Sequence, residues 1–146
     1  MKPIPPSRLP IYFALLWAGP ALATSFEFTP HTNTFPFTWS VSIDGQGATA
    51  NPDLEVMTGR SYSFTVTNVA SHPFWIDKAF GIGGPLSDPY PTTAGLSDNG
   101  VGQDETITMN LPADAPDTLY YACGVHSSMI GTINVVHDLV FRGSFE

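Results

Sequence analysis

The stretch Leu119-Tyr-Tyr-Ala-Cys-Gly-Val-His-Ser-Ser-Met-Ile-Gly-Thr-Ile-Asn-Val-Val136 reads as strand, tight loop, strand. The expected strands, Leu119 to Cys123 and Thr132 to Val136, frame a loop on which the thiol of Cys123, the imidazole of His126 and the thioether of Met129 fall within seven residues. Upstream, in Asn68-Val-Ala-Ser-His-Pro-Phe-Trp-Ile76, a second imidazole, His72, stands between two further strand-like runs.

Outward from these segments, Gly, Pro, Thr and Ser punctuate the chain at short intervals between alternating apolar residues, the signature of an all-β fold. The remaining expected strands are Thr38 to Asp44, Leu54 to Met57, Ser61 to Asn68, Phe74 to Asp77 and Glu105 to Leu111, which makes about seven in all. Tyr62, Phe64 and Val66 alternate with Ser61, Ser63, Thr65 and Thr67, while Ile107, Met109 and Leu111 alternate with Thr106, Thr108 and Asn110. Each alternation turns one row inward. Thr58-Gly59 marks a tight turn and Pro112 to Asp117 a turn-rich corner. No stretch carries a helical period. These features predict a Greek-key β-sandwich in which neighbouring strands bring the His72 and Cys123 loops together at one end. Ala79 to Gln103, rich in Gly and Pro, is longer than most structureless connections and is expected to carry a function or local structure of its own.

The N-terminus reads as an export signal over residues 1–23: Lys2 and Arg8 form a basic region, Ile11 to Trp17 an apolar core, and Ala21-Leu22-Ala23 a small-x-small cleavage site. A retained signal anchor is the alternative, but Pro20 breaks an apolar stretch shorter than the roughly 20 residues a spanning helix needs. No later segment is apolar enough to span. Residues 24–137 then form one domain, expected in the periplasm or outside the cell, and residues 138–146 a tail without a readable pattern. Only Arg60, Lys78 and Arg142 of that mature chain oppose 13 acids. Such a balance argues against nucleic acid or an anionic membrane surface, and it suits a basic protein partner or simple solvation. A monomer is expected.

Cys123 is the chain's one cysteine, so no intramolecular disulfide forms. In an oxidising compartment an unpaired thiol is either buried and inert or occupied, and a metal ion would protect it. Two imidazoles and a thiolate, with a weak distant thioether, are the ligand set of a blue-copper electron-transfer site. Thiolate and thioether favour Cu(I), imidazole serves both oxidation states, and a rigid β scaffold limits the rearrangement that accompanies electron arrival or departure.

With these residues the chain resembles the cupredoxin family, the plastocyanin, azurin and amicyanin group. The resemblance covers roughly residues 38–136, and its most specific element is Cys-x-x-His-x-x-Met followed by Gly-x-Ile, a spacing most similar to amicyanin. It implies one type 1 copper per chain, with His72, Cys123 and His126 as equatorial ligands and Met129 as the axial one. It further implies a carrier of single electrons between redox protein partners, not an enzyme. Two positions depart from the pattern: Pro73 follows the first His where a residue with a free N–H is common, and Val125 precedes the second His where Pro often sits. Because Pro73 has no N–H to give the thiolate, the N–H of Val125 is the expected substitute.

Each residue also has a plainer reading: Cys123 as a small buried hydrophobe, Met129 as core filler, His72 as a loop residue. His31 and His137 lack partner spacing and are expected at the surface, while Phe74, Trp75, Tyr120 and Tyr121 are expected as core and strand residues rather than an electron path. A multinuclear copper enzyme would need further His ligands, usually in His-x-His pairs that this chain lacks. A colourless copper carrier, or a metal-free extracellular interaction module, is the other alternative.

Overall fold

Strands whose alternate residues are apolar bury one face, and two such sheets closed face to face remove both from water. In the computed structural model, which describes residues 23–69, 71–79 and 87–138, the chain does this with nine strands: β1 (Thr24–His31), β2 (Thr38–Ile43), β3 (Thr49–Ala50), β4 (Leu54–Met57), β5 (Tyr62–Val66), β6 (Phe74–Asp77), β7 (Glu105–Met109), β8 (Thr118–Cys123) and β9 (Ile130–Val136). One sheet runs β3-β2-β1-β5-β7 and the other β4-β9-β8-β6, the chain passing back and forth between them. The expected all-β sandwich is therefore observed, with a single 3-10 turn at Thr92–Ala94 as its helical content among the described residues. The expected signal peptide, apart from Ala23, and residues 139–146 of the expected tail lie outside the described residues.

All seven expected strands form, β4 and β6 with the expected ends and the other five with ends shifted by one or two residues. Asn68, in the left-handed region at φ 58°, turns the chain after β5 earlier than the alternation implied. The two additional strands are β1 and β3. β1 lies at the centre of the larger sheet, antiparallel to β2 and parallel to β5, with Phe26 opposite Phe64 and Phe28 opposite Val66. Phe26 and Phe28 are buried while Glu27 between them is exposed, so this segment too alternates with period two. Pro30 lies past the end of the pairing with β5, where its missing N–H breaks no ladder bond on that side.

The inward rows are those the alternation implied: Phe64, Val66, Ile107, Met109 and Leu111 are all buried, with Tyr62 packed at the margin. Phe28 joins the sheets. Its ring lies 4.7 Å from Phe74 and 5.1 Å from Tyr121 of the opposite sheet, and meets Trp39 edge-on at 6.2 Å. Such pairs contribute about 0.5–1.5 kcal/mol each beyond the area they bury. Phe74 and Tyr121 are thus core residues, as expected, while Trp75 and Tyr120 are half-buried.

The long segment after β6 does carry local structure; its residues 80–86 lie outside the described residues. Asn99 substitutes for a neighbouring strand at the β6 edge: its side chain accepts from the N–H of Ile76 and donates to the carbonyls of Ile76 and Tyr90, each at 2.8 Å. A sheet edge that would otherwise expose unpaired backbone groups is thereby closed. Gly100, at φ 75°, follows where a Cβ would stand 2.4 Å from the Trp75 ring. At the far end of the sandwich His137 departs from expectation. Its side chain is only 17 % exposed, with Nε2 2.9 Å from Asp117 Oδ1 and Nδ1 3.1 Å from the Ala113 carbonyl oxygen. It fastens the end of β9 to the Pro112–Asp117 corner. His31 is exposed, as expected.

Candidate metal centre

Register explains why the two loops meet. Cys123, the last residue of β8, pairs with Phe74, the first residue of β6, so a side chain two residues before Phe74 emerges beside the thiol. That residue is His72. Its N–H donates to the Val69 carbonyl at 2.6 Å, closing a tight turn, and the Pro73 carbonyl accepts the Gly124 N–H at 2.8 Å, tying one loop to the other. Gly124 permits the approach: a Cβ there would stand 3.0 Å from Trp75 Nε1 and 3.1 Å from Pro73 Cγ. On the second loop the Met129 N–H donates to the His126 carbonyl at 3.0 Å and the Cys123 N–H to the Met129 carbonyl at 2.9 Å. The loop is a closed turn that returns Met129 to the head of β9.

His72, Cys123 and His126 offer ligand atoms that all lie within 4.8 Å of one another. Both ring Nδ1 atoms face Cys123 Sγ, that of His72 from 3.8 Å and that of His126 from 3.7 Å. Two donors bonded to one ion at about 2.0–2.3 Å, the lengths usual for imidazole and thiolate, and about 120° apart would lie about 3.7 Å from each other. The two observed sulfur-to-nitrogen separations match that spacing. Cys123 and Met129 are fully buried, the histidines half-buried. Met129 belongs to the same buried cluster as Cys123 and Phe74. Burial, and next the neighbouring His126, hold the His72 imidazole below its ordinary pKa, which favours the neutral form that binds metals.

The four candidate residues lie near one another at one end of the sandwich, and the expected donor from Val125 is present: its N–H points to Cys123 Sγ at 3.4 Å. Three further participants had no local signal. Phe37, in the β1–β2 connection, meets His126 edge-on at 5.1 Å and His72 at 6.5 Å. The Ser128 hydroxyl donates to the Phe37 carbonyl at 2.8 Å, and the Asn51 side chain donates to the Ser128 carbonyl at 2.9 Å. Two apolar side chains of these loops are exposed: Val125, beside His126, at 63 %, and Phe35, whose ring lies 6.1 Å from that of Phe37, at 85 %.

No family model matches the chain, and no curated protein does. Among solved structures it is similar to reduced rusticyanin, with 24% identity over 76% of this chain and 77% of that one and a TM-score of 0.46. It is also similar to rusticyanin from Thiobacillus ferrooxidans, with 19% identity over 76% and 75% and a TM-score of 0.45. A purple cupredoxin from Nitrosopumilus maritimus shows 14% identity over 76% of this chain and 97% of that one, at a TM-score of 0.41.

Proposed function

We propose that this protein is an exported mononuclear blue-copper carrier of single electrons, its copper held by His72, Cys123 and His126 in the equatorial positions and by Met129 axially. The observation that carries the reading is the triangle of two Nδ1 atoms facing one buried sulfur at 3.7–3.8 Å. Copper, when bound, supplies the Cu(II)/Cu(I) couple. The protein's own residues do the rest. The sandwich fixes the donors from two paired strand ends, so little needs to move when the charge of the site changes. Phe37 and the buried Met129 keep water from one side, while the half-exposed histidines, rimmed by Phe35 and Val125, bring the site close to a partner's surface. The acidic remainder suits a basic redox partner.

A carrier is favoured over a copper enzyme by the fate of the spare histidines: His31 is exposed and His137 is engaged at the far end, so neither joins the site. Export is supported by the apolar N-terminal run and by β1 beginning at Thr24, which cleavage after Ala23 would leave whole. No helix among the described residues is long and apolar enough to cross a membrane.

Addition of Cu(II) to the purified protein tests the reading. The expected outcome is an intense visible band that bleaches with mild reductant and returns on oxidation. Retention of colourless Cu(I) alone would indicate a copper carrier without redox duty. Failure to retain copper through dialysis would indicate an interaction module.

A further inference from the structure

We propose that Asn51 and Ser128 form a brace that positions the metal-binding loop, an inference that rests on the copper reading above. Asn51 sits in the left-handed region at φ 43°, a conformation that Asn tolerates better than most residues. Its backbone N–H donates to the Trp39 carbonyl at 2.8 Å and its Oδ1 accepts the Trp39 N–H at 2.7 Å. Asn51 is thereby anchored on β2, in the larger sheet. Its remaining amide group donates to the carbonyl of Ser128 at 2.9 Å.

Ser128 lies between His126 and Met129, on the loop that joins β8 to β9 in the smaller sheet. Its hydroxyl donates in turn to the Phe37 carbonyl at 2.8 Å, just before β2. The loop thus takes one hydrogen bond from the opposite sheet and gives one back, at the same residue. The other bonds described for it, Met129 to His126, Cys123 to Met129, Val125 to the Cys123 sulfur and Gly124 to Pro73, close the loop on itself or onto the His72 turn. The Asn51–Ser128–Phe37 chain therefore holds the loop against the larger sheet, and it holds Phe37 where its ring meets both imidazoles. The side-chain hydrogen bonds described for Asn51 and Ser128 go to backbone groups of Trp39, Ser128 and Phe37 and not to a candidate ligand atom. They act on the metal through the placement of His126, Met129 and Phe37.

The two ends of the brace are tested separately on the copper-loaded protein. Asn51→Asp keeps an acceptor for Trp39 and a side chain at home in the left-handed region, but sets a carboxylate oxygen against the Ser128 carbonyl. Ser128→Ala removes the bond to Phe37, and Ser128→Thr restores a hydroxyl. Thr65→Ala, which breaks a 2.9 Å hydroxyl pair with Thr106 on the outer face, serves as the control. Copper release to excess chelator is expected to quicken about 2- to 10-fold in Asn51→Asp and Ser128→Ala, the range one net hydrogen bond allows. The copper hyperfine splitting and the ratio of visible bands should shift as well. Ser128→Thr should return both readouts toward wild type and Thr65→Ala should leave them unchanged. Unaltered spectra and release rates in both brace variants, even with a lower melting point of the metal-free protein, would overturn the proposal and leave the bonds a purely structural role. A wild-type protein that takes up no copper would overturn the copper reading and the brace together. A blue wild type with unshifted variants overturns the brace alone. Should Asn51→Asp fail to fold, Ser128→Ala decides.

Discussion

The backbone N–H of Val125 lies 3.4 Å from the sulfur of Cys123, within the same loop. Pro73, on the facing loop, has no N–H, and the backbone donor to the sulfur comes from its own loop instead. A hydrogen bond to the sulfur favours the reduced site, where more negative charge rests there, and so raises the potential. Val125→Pro should lower the potential by roughly 20–60 mV, taking a net hydrogen bond at about 0.5–1.5 kcal/mol and one electron transferred. Pro73→Ala should raise it by a similar amount by adding a donor. Voltammetry of both variants separates this effect from loop loosening, since two shifts of the same sign are incompatible with the hydrogen-bond account.

Replacement of Cys123 by Ser should abolish the visible band while the far-ultraviolet β-sheet signal stays. The colour depends on charge transfer from a thiolate, and one substitution at the end of β8 leaves the core rows intact. The variant's melting point should no longer rise on addition of Cu(II), because a metal that binds only the native state stabilises it by mass action. Retained colour would mean that Cys123 is not the ligand.

Met129→Gln is expected to keep copper and to lower the reduction potential, because an oxygen donor favours Cu(II) more than a thioether does. An unchanged potential would return Met129 to the role of core filler, consistent with its full burial.

Truncation of Phe28 to Ala should cost about 3–5 kcal/mol in denaturant unfolding. The ring bridges the two sheets through Phe74 and Tyr121, and Phe74 is the strand partner of Cys123. The same variant should therefore release copper faster than wild type, while a truncation at the far end, His137→Ala, should leave release unchanged. Equal release rates for Phe28→Ala and wild type would show that the site is insulated from this part of the core.

Period-two alternation is a local property, which is why β4 and β6 are legible residue for residue and why the inward rows of β5 and β7 are too. β1 has the same alternation, in Phe26 and Phe28 about Glu27, but it starts at the expected cleavage site and contains Pro30, and both obscure it. β3, two residues long, has no period to detect. At the site, the candidate ligands Cys123, His126 and Met129 are legible because one loop carries them, and the missing donor at Pro73 follows from its ring. What only the tertiary structure decided is the company they keep. The convergence of His72 on Cys123 depends on the pairing of β6 with β8. The contacts of Ser128 with Asn51 and Phe37 join residues 77 and 91 positions apart. A hydrogen bond of that span leaves no trace in local composition or period, because nothing but the closure of one sheet over the other brings its partners within reach.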